Sequence, residues 1–245
     1  MRIYEQGQVG NQLLSSLSPQ DFALLQPHLR RMSVGLHDTL IEPNKPIEIA
    51  YFPESGIASF VSPSDVELEV GIVGFEGFVG ASVLLDVDRI PLKASGQVAG
   101  EGLGIRTAAL LTAAAGSPSL RSVLARYTHV FMMQAASTAY ANAHFTVEQR
   151  LARWLLMAHD RVDGDDLALT HEFLAVMLCV RRPGVTVSTH ILEGQGAIRA
   201  KRGRITIRDR EKLIALAGDS YGMAEAEYDR LLGPRFPVRQ LQQAA

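Results

Sequence analysis

A single cysteine among 245 residues excludes an internal disulfide and cannot supply the four thiolates that an iron–sulfur cluster usually needs. Long apolar runs are also missing. The longest stretch free of Asp, Glu, Lys and Arg, Tyr127 to Val147, contains His129, Gln134, Ser137, Thr138, Asn142 and His144, too polar to cross a bilayer. The N-terminal MRIYEQGQVGNQLL lacks the apolar core of a secretory leader, so the chain is expected in the cytoplasm with no membrane partner. Signatures of catalysis are lacking too. Among His28, His37, His129, His144, His159, His171 and His190 there is no H-x-x-x-H pair, and neither G-x-S-x-G nor a P-loop lysine motif occurs. Asp163-Gly164-Asp165-Asp166 lacks the distal Glu of a calcium loop and reads as a linker. Cys179, in an apolar helix end, is expected to be a small buried hydrophobe. No enzyme, metal site or cofactor is expected.

What is present is an ordinary globular composition, 47% hydrophobic and 20% charged, with one stretch of distinct pattern, Leu169 to Glu193. Thr170 is a good N-cap, followed by Glu172 in the first turn and apolar Phe173, Leu174, Val176, Met177 and Leu178. Arg181-Arg182-Pro183-Gly184 breaks that helix. A second run resumes with Val185, Ile191 and Leu192, which a helix can place on one side, and Pro183 suits its first turn. Two short helices across a tight connection are a helix-turn-helix. Beyond it, Arg199 to Asp209 alternates around Ile205 and Ile207, with Gly203 supplying a turn, as a small β-hairpin or wing. Charge agrees. Arg181 to Lys212 holds nine Lys/Arg against three Asp/Glu, an excess of six, so with the whole chain at −2 the remainder carries −8. A basic segment on an acidic protein points to nucleic acid.

Upstream, residues 11–31 read as two short helices, the second capped at Ser18 with an apolar stripe of Phe22, Leu24, Leu25 and Leu29. From Met32 to Arg106 short segments separated by turn residues predict strands at 39–41, 47–52, 56–61, 66–72 and 94–98, a compact antiparallel β-roll or sandwich. Gly74 to Leu85 is a glycine-rich turn entering a short helix, a geometry able to present backbone N–H groups to an anion. A helix over Thr107–Ala115 precedes a tract from Ser119 to about Arg161 with no internal Gly or Pro. Its stripe of Leu120, Leu124, Tyr127, Phe131, Ala135, Thr138, Ala141 and Phe145 is wider than one small β-roll can cover. Trp154 reads as packing between this helix and the head, and 209–217 and 220–232 as one or two helices before a fraying tail.

The head resembles the winged helix-turn-helix of Crp/Fnr-type transcription regulators. Thr170, Leu174, Ala175, Arg182, Val185, Leu192 and Ile198 match that family's T-x-x-x-(I/L)-A…S-R-x-T-V…L…I pattern, and RGRITIRD its wing. Cys179 stands where the turn glycine is usual, and Pro183-Gly184 where Glu-Thr is usual, so an acidic base reader is absent. The resemblance implies an α+β chain in three parts: a cyclic-nucleotide-binding-like sensor over 11–117, a long dimerisation helix over 118–162 and the head over 163–232. It implies a homodimer reading a palindrome in duplex DNA, with RNA polymerase as a further partner. Arg182 would read a guanine, and Thr186 and Val187 would face the groove beside Gly184. Thr170, Arg181, Ser188, His190, Lys201, Arg202 and Arg204 would meet phosphates.

In the sensor, the effector positions implied by resemblance to a phosphate-binding cassette are Gly77, Gly80, Ala81, Arg89, Lys93, Ser137 and Thr138. Ala81 replaces the acidic ribose acceptor, and the Arg-Ser or Arg-Thr pair for the cyclic phosphate is missing. A degenerate pocket, with another effector or none, is therefore expected in preference to cyclic AMP or GMP. The alternative is a sensor of this type acting through protein–protein contacts with a vestigial DNA head.

Overall fold

A computed structural model describes residues 4–62 and 68–234. Two capped helices open the chain. α1 (Gln12–Ser15) begins at Asn11, whose side chain accepts from Leu14 N–H, and α2 (Pro19–Leu25) at Ser18, whose hydroxyl accepts from Asp21 N–H. Phe22, Leu25 and Leu29 are buried as expected, but Leu24 is exposed.

The β-rich part is a roll of two antiparallel sheets. One has the order β1 (Arg30–Val34), β7 (Gly100–Arg106), β3 (Ile49–Pro53). The other runs β2 (Thr39–Ile41), β6 (Lys93–Val98), β4 (Ile57–Val61), β5 (Glu69–Val73). The strand expected at 39–41 appears with those bounds and those at 47–52, 56–61 and 94–98 with ends shifted by one or two residues; the start of the one expected at 66–72 lies outside the described residues, and β1 and β7 are additions. β7 escapes a propensity reading because Gly100, Gly102 and Gly104 occupy every second position. Those glycines share one face while Leu103 and Ile105 enter the core. At Gly102 a Cβ would lie 2.3 Å from the Phe52 carbonyl oxygen, so a glycine is required.

α3 (Thr107–Gly116) leads to the tract expected as one long helix, which is two. α4 (Pro118–His144) ends at Phe145, and α5 (Val147–His159) starts afresh in a capping box formed by Thr146 and Gln149. No glycine or proline is needed to end a helix when Phe145 turns extended (φ −109°, ψ 152°) and the next residues offer a strong N-cap. α5 packs on α7 (Arg182–Gly194) and α8 (Arg210–Ala217) of the head, so the head's packing begins at Val147 rather than after Asp163.

The head continues with β8 (Asp166–Leu167), α6 (His171–Met177), α7 (Arg182–Gly194), β9 (Ile198–Lys201), β10 (Arg204–Ile207) and α8 (Arg210–Ala217). α9 (Met223–Leu232) then leaves the head and lies along α4. The supposed Asp-rich linker supplies β8, which pairs with β10 and makes the wing a three-stranded sheet, β8-β10-β9.

The stripe read on the long tract lies on α4 and turns mostly inward. Leu120, Leu124, Tyr127 and Ala141 are buried, and the Phe131 ring meets Phe60 tilted at 4.9 Å. What α4 leaves exposed is a second stripe, Ser122, Ala125, His129, Met132, Ala136, Ala139 and Ala143, in alternating steps of three and four.

Candidate nucleic-acid interface

The helix-turn-helix stands on α5. Leu151, Ala152, Leu155 and Leu156 are buried and form one core with Leu174 of α6, Val185 and Leu192 of α7 and Ile205 of the wing. Arg150 donates to the Leu178 carbonyl at the end of α6, and Glu148 accepts from the Ser188 hydroxyl of α7 at 3.1 Å. The turn is made by Cys179, at φ +51° in the position where glycine is usual. A side chain there costs about 1–2 kcal/mol of local strain. Cys179 is exposed, contrary to the buried role read from its apolar neighbours, because the left-handed turn points it outward.

α7 presents Pro183, Val187, His190 and Ile191 to solvent and turns Val185, Ser188, Thr189 and Leu192 inward. Two assignments therefore change. Ser188, expected on a phosphate, is 1% exposed and bound to Glu148. Ile191, read on one side of the helix with Val185 and Leu192, is 39% exposed on the outward face with Val187. Steps of three and four from Val185 reach Ser188, Thr189 and Leu192, so the helical period alone could have found both. Thr186 is half-buried; its hydroxyl donates to the Arg182 carbonyl and lies 3.0 Å from His171 Nδ1. Thr170 caps α6 through Phe173 N–H, and Gly184 lies in the first turn of α7.

Arg182 and Glu172 form an exposed ion pair at 2.8 Å, and Arg204 pairs with Asp166 at 3.2 Å. Exposed pairs contribute only about 0–1 kcal/mol, so either guanidinium can leave for a stronger acceptor. Arg181, Lys201 and Arg202 are exposed and have no side-chain partner among the described residues. Lys201 and Arg202 sit at the wing tip, where Gly203 (φ +71°) closes the hairpin. Arg199 and Arg208, absent from the expected set, are also exposed on or beside the wing. One apolar helical face is thus flanked by cations, and His190 at its edge lies 3.9 Å from Glu193.

The effector positions of the roll do not converge in the same way. A Cβ on Gly77 would fall 2.0 Å from the Tyr127 ring, so α4 covers this turn directly. Gly80 is left-handed (φ +102°) and starts the 3₁₀ turn Ala81–Leu85. Arg89 is exposed and makes two 3.0 Å hydrogen bonds to its neighbour Asp88. Lys93 is half-buried at the start of β6. The Ser137 and Thr138 hydroxyls donate to the Met133 and Gln134 carbonyls of their own helix. Between sheet and helix, Gln134 Oε1 accepts from Ile72 N–H at 2.7 Å beside the tilted Phe60–Phe131 pair.

The head is joined to the roll through two buried acids. Glu69 of β5 accepts from Ser59 Oγ (2.7 Å), Gln97 Nε2 (3.1 Å) and Trp154 Nε1 (2.6 Å). Trp154, the chain's one tryptophan, carries this link into the head, where its ring meets Phe173 edge-on at 5.7 Å. Packing between helix and head was the role its sequence suggested. Burial raises the Glu69 carboxyl above its ordinary range, outweighing its three donors and the Arg153 charge. A carboxyl raised by folding stabilises the fold fully below its unfolded pKa, and that contribution is lost as pH rises through the folded value. Glu69→Gln, which keeps an acceptor but no charge, is therefore expected to gain stability relative to the parent from about pH 4.5 upward. Parallel urea titrations between about pH 4 and 8 measure this; two curves with the same pH slope would contradict it.

The second acid is Glu76 in the glycine-rich turn, paired with Arg161 at 2.8 Å with both side chains inaccessible. Tyr228 of α9 donates to the Glu76 carbonyl at 2.9 Å. The turn is therefore held by the segment after α5 and by the last helix.

Among the described residues no helix is long and apolar enough to cross a membrane. Residues 149–216 match the Crp-like helix-turn-helix domain family. No curated protein matches the sequence significantly. Solved structures share most of this fold at low identity. FixK2 from Bradyrhizobium japonicum is 18% identical over 78% of this chain and 98% of its own, with a TM-score of 0.66. A CRP/FNR-family transcriptional regulator from Thermus thermophilus is 22% identical over 79% and 100%, with a TM-score of 0.64. The c-di-GMP responsive global regulator CLP of Xanthomonas campestris is 18% identical over 78% and 99%, with a TM-score of 0.63.

Proposed function

We propose that this chain, which carries a Crp-like helix-turn-helix domain on the fold of the Crp/Fnr regulators, is a homodimeric transcription regulator. It reads duplex DNA through α7 and the wing. The observation that carries this reading is the outward face of α7, apolar at Val187 and Ile191 and flanked by Arg181, Arg182, Lys201 and Arg202. Val187 and Ile191 meet thymine methyls in the major groove, Arg182 a guanine edge, and the wing cations phosphates. Thr170, Gly184, Thr186, His190 and Arg204 complete the contact surface, whereas Ser188 acts from within by holding α7 to α5. RNA polymerase is the further partner this reading implies. Selection of bound duplexes from a random pool at about physiological salt tests it. An inverted repeat with half-sites about one helical turn apart, or a multiple, is expected, with affinity falling steeply with salt. Recovery of no duplex would overturn the DNA-reading role.

The exposed stripe of α4 supports the dimer. Its small side chains at heptad spacing let two copies of the helix approach closely about a two-fold axis. Ala136→Glu, placing like charges across that axis, is expected to yield monomers in sedimentation at micromolar concentration while leaving the fold intact. A variant that stays dimeric would move the interface elsewhere.

The inner face of the roll reads as closed to cyclic nucleotides, given Tyr127 over Gly77, Ala81 in place of an acid, and Gln134 bound to Ile72. Operator affinity is expected to be unchanged by cyclic AMP or GMP, and a tenfold gain would reverse this reading.

A further inference from the structure

The outer face of β1-β7-β3 carries an open groove with about 420 Å³ of free space. Its origin lies in the glycine alternation of β7. Gly104 stands between β1 and β3 with no side chain, and an added Cβ would come within 3.2 Å of Met32 Sδ and 3.3 Å of Ile49 Cγ2. These two side chains are the walls, and Ile49, on a strand otherwise buried, is 43% exposed. Arg30, Arg106 and His28 stand around the rim. Arg31 also borders it, but its charge is matched by Glu54 and Glu101.

Arg106 is exposed and has no side-chain partner among the described residues. It is also the N-cap of α3, ten residues long, which has no side-chain cap and no acid in its first turn. Ala109 of that turn lines the groove, which brings the first turn of the helix beside the arginines, although its first N–H, that of Thr107, is given to the Glu48 carbonyl at 2.9 Å. No carboxylate lines it. The volume is that of a small-ligand site, and its make-up of apolar walls with a few charges at the rim is compatible with one.

We infer that this groove binds a small amphiphilic anion, a phosphate or carboxylate head on a short apolar body. The head lies against Arg106, Arg30 and the start of α3, and the body lies over Gly104 between Met32 and Ile49. The site is distinct from the DNA-reading face and from the inner positions around Gly77 to Lys93. Its occupancy is measurable without DNA, so its failure would leave the regulator reading intact.

Calorimetry on the full chain with hexyl phosphate, inorganic phosphate and hexanol tests it. Hexyl phosphate is expected to bind at least tenfold more tightly than either fragment. Arg106→Ala is expected to weaken it at least tenfold, the loss of one charge-assisted contact. Ile49→Asn is expected to weaken hexyl phosphate while leaving inorganic phosphate unchanged. Circular dichroism checks that both variants fold, and Arg106→Lys, retaining the charge, should recover part of the affinity. Equal binding of hexyl and inorganic phosphate, or full affinity in Arg106→Ala, would overturn the site. Capture by vesicles containing phosphatidic acid, or by an acidic peptide, with no affinity for hexyl phosphate, would overturn it in favour of a surface contact.

Discussion

Arg161→Ala is expected to destabilise the folded chain by about 3–5 kcal/mol, the usual cost of stranding one member of a buried ion pair. Glu76 would keep its carboxylate in a space where it is 4% exposed, with the long bonds from Gly74 N–H as a poor substitute for the guanidinium. The consequences extend beyond one bond. The Glu76 segment carries the Tyr228 contact to α9, and the Arg161 guanidinium also donates to the Met157 carbonyl at 2.7 Å. The double variant Arg161→Met with Glu76→Gln buries no charge and is expected to recover most of the loss, because the two substitutions act on one interaction and are not additive. Urea unfolding of the parent and of both variants measures this. A single variant within about 1 kcal/mol of the parent would mean that solvent reaches the pair.

Arg182→Ala is expected to lower affinity for the selected operator by about 1–3 kcal/mol, or about 5- to 150-fold, and to relax preference at one base pair. The Glu172 pair gives this expectation a second arm. Removing that carboxylate frees the guanidinium, so Glu172→Ala is expected to tighten binding by no more than about fivefold, the limit set by an exposed pair. Lys201→Ala at the wing tip should instead weaken all sequences about equally and reduce the salt slope by about one. Equilibrium binding to the operator, to single-base variants and to unrelated duplexes separates these outcomes. Uniform weakening by Arg182→Ala would assign that side chain to a phosphate.

Much of the fold is legible in local signals, each needing a few neighbouring residues. Asn11, Ser18 and Thr170 lie where helices start, Gly203 where the wing turns, and the basic run falls on the head. The misses arise where those signals are silent or misweighed. β7 carries glycine where a strand prefers side chains, and only the close approach of Phe52 and Ser55 shows why. The break at Phe145 carries no helix-breaking residue, although the Thr146–Gln149 capping box stands there to be read. Ser188 and Ile191 exchange places because a groove-facing set chosen by residue type ignores the period of the helix.

The sequence by itself determined the inventory: an α+β chain, a β-roll with a glycine-rich turn, long helices and a basic winged head. Helix and strand periods, caps and turns are short-range properties, and charge is a sum. Tertiary structure alone decided which stripe of α4 is covered and which is left exposed, and that a groove opens at Gly104. It also decided that the head closes onto the roll. Two of the contacts that make this closure, Glu69 with Trp154 and Glu76 with Arg161, each join residues 85 positions apart. No local pattern can encode such a pairing. It is set when buried acids, whose oxygens would otherwise go unsatisfied, take the donors that chain packing brings to them.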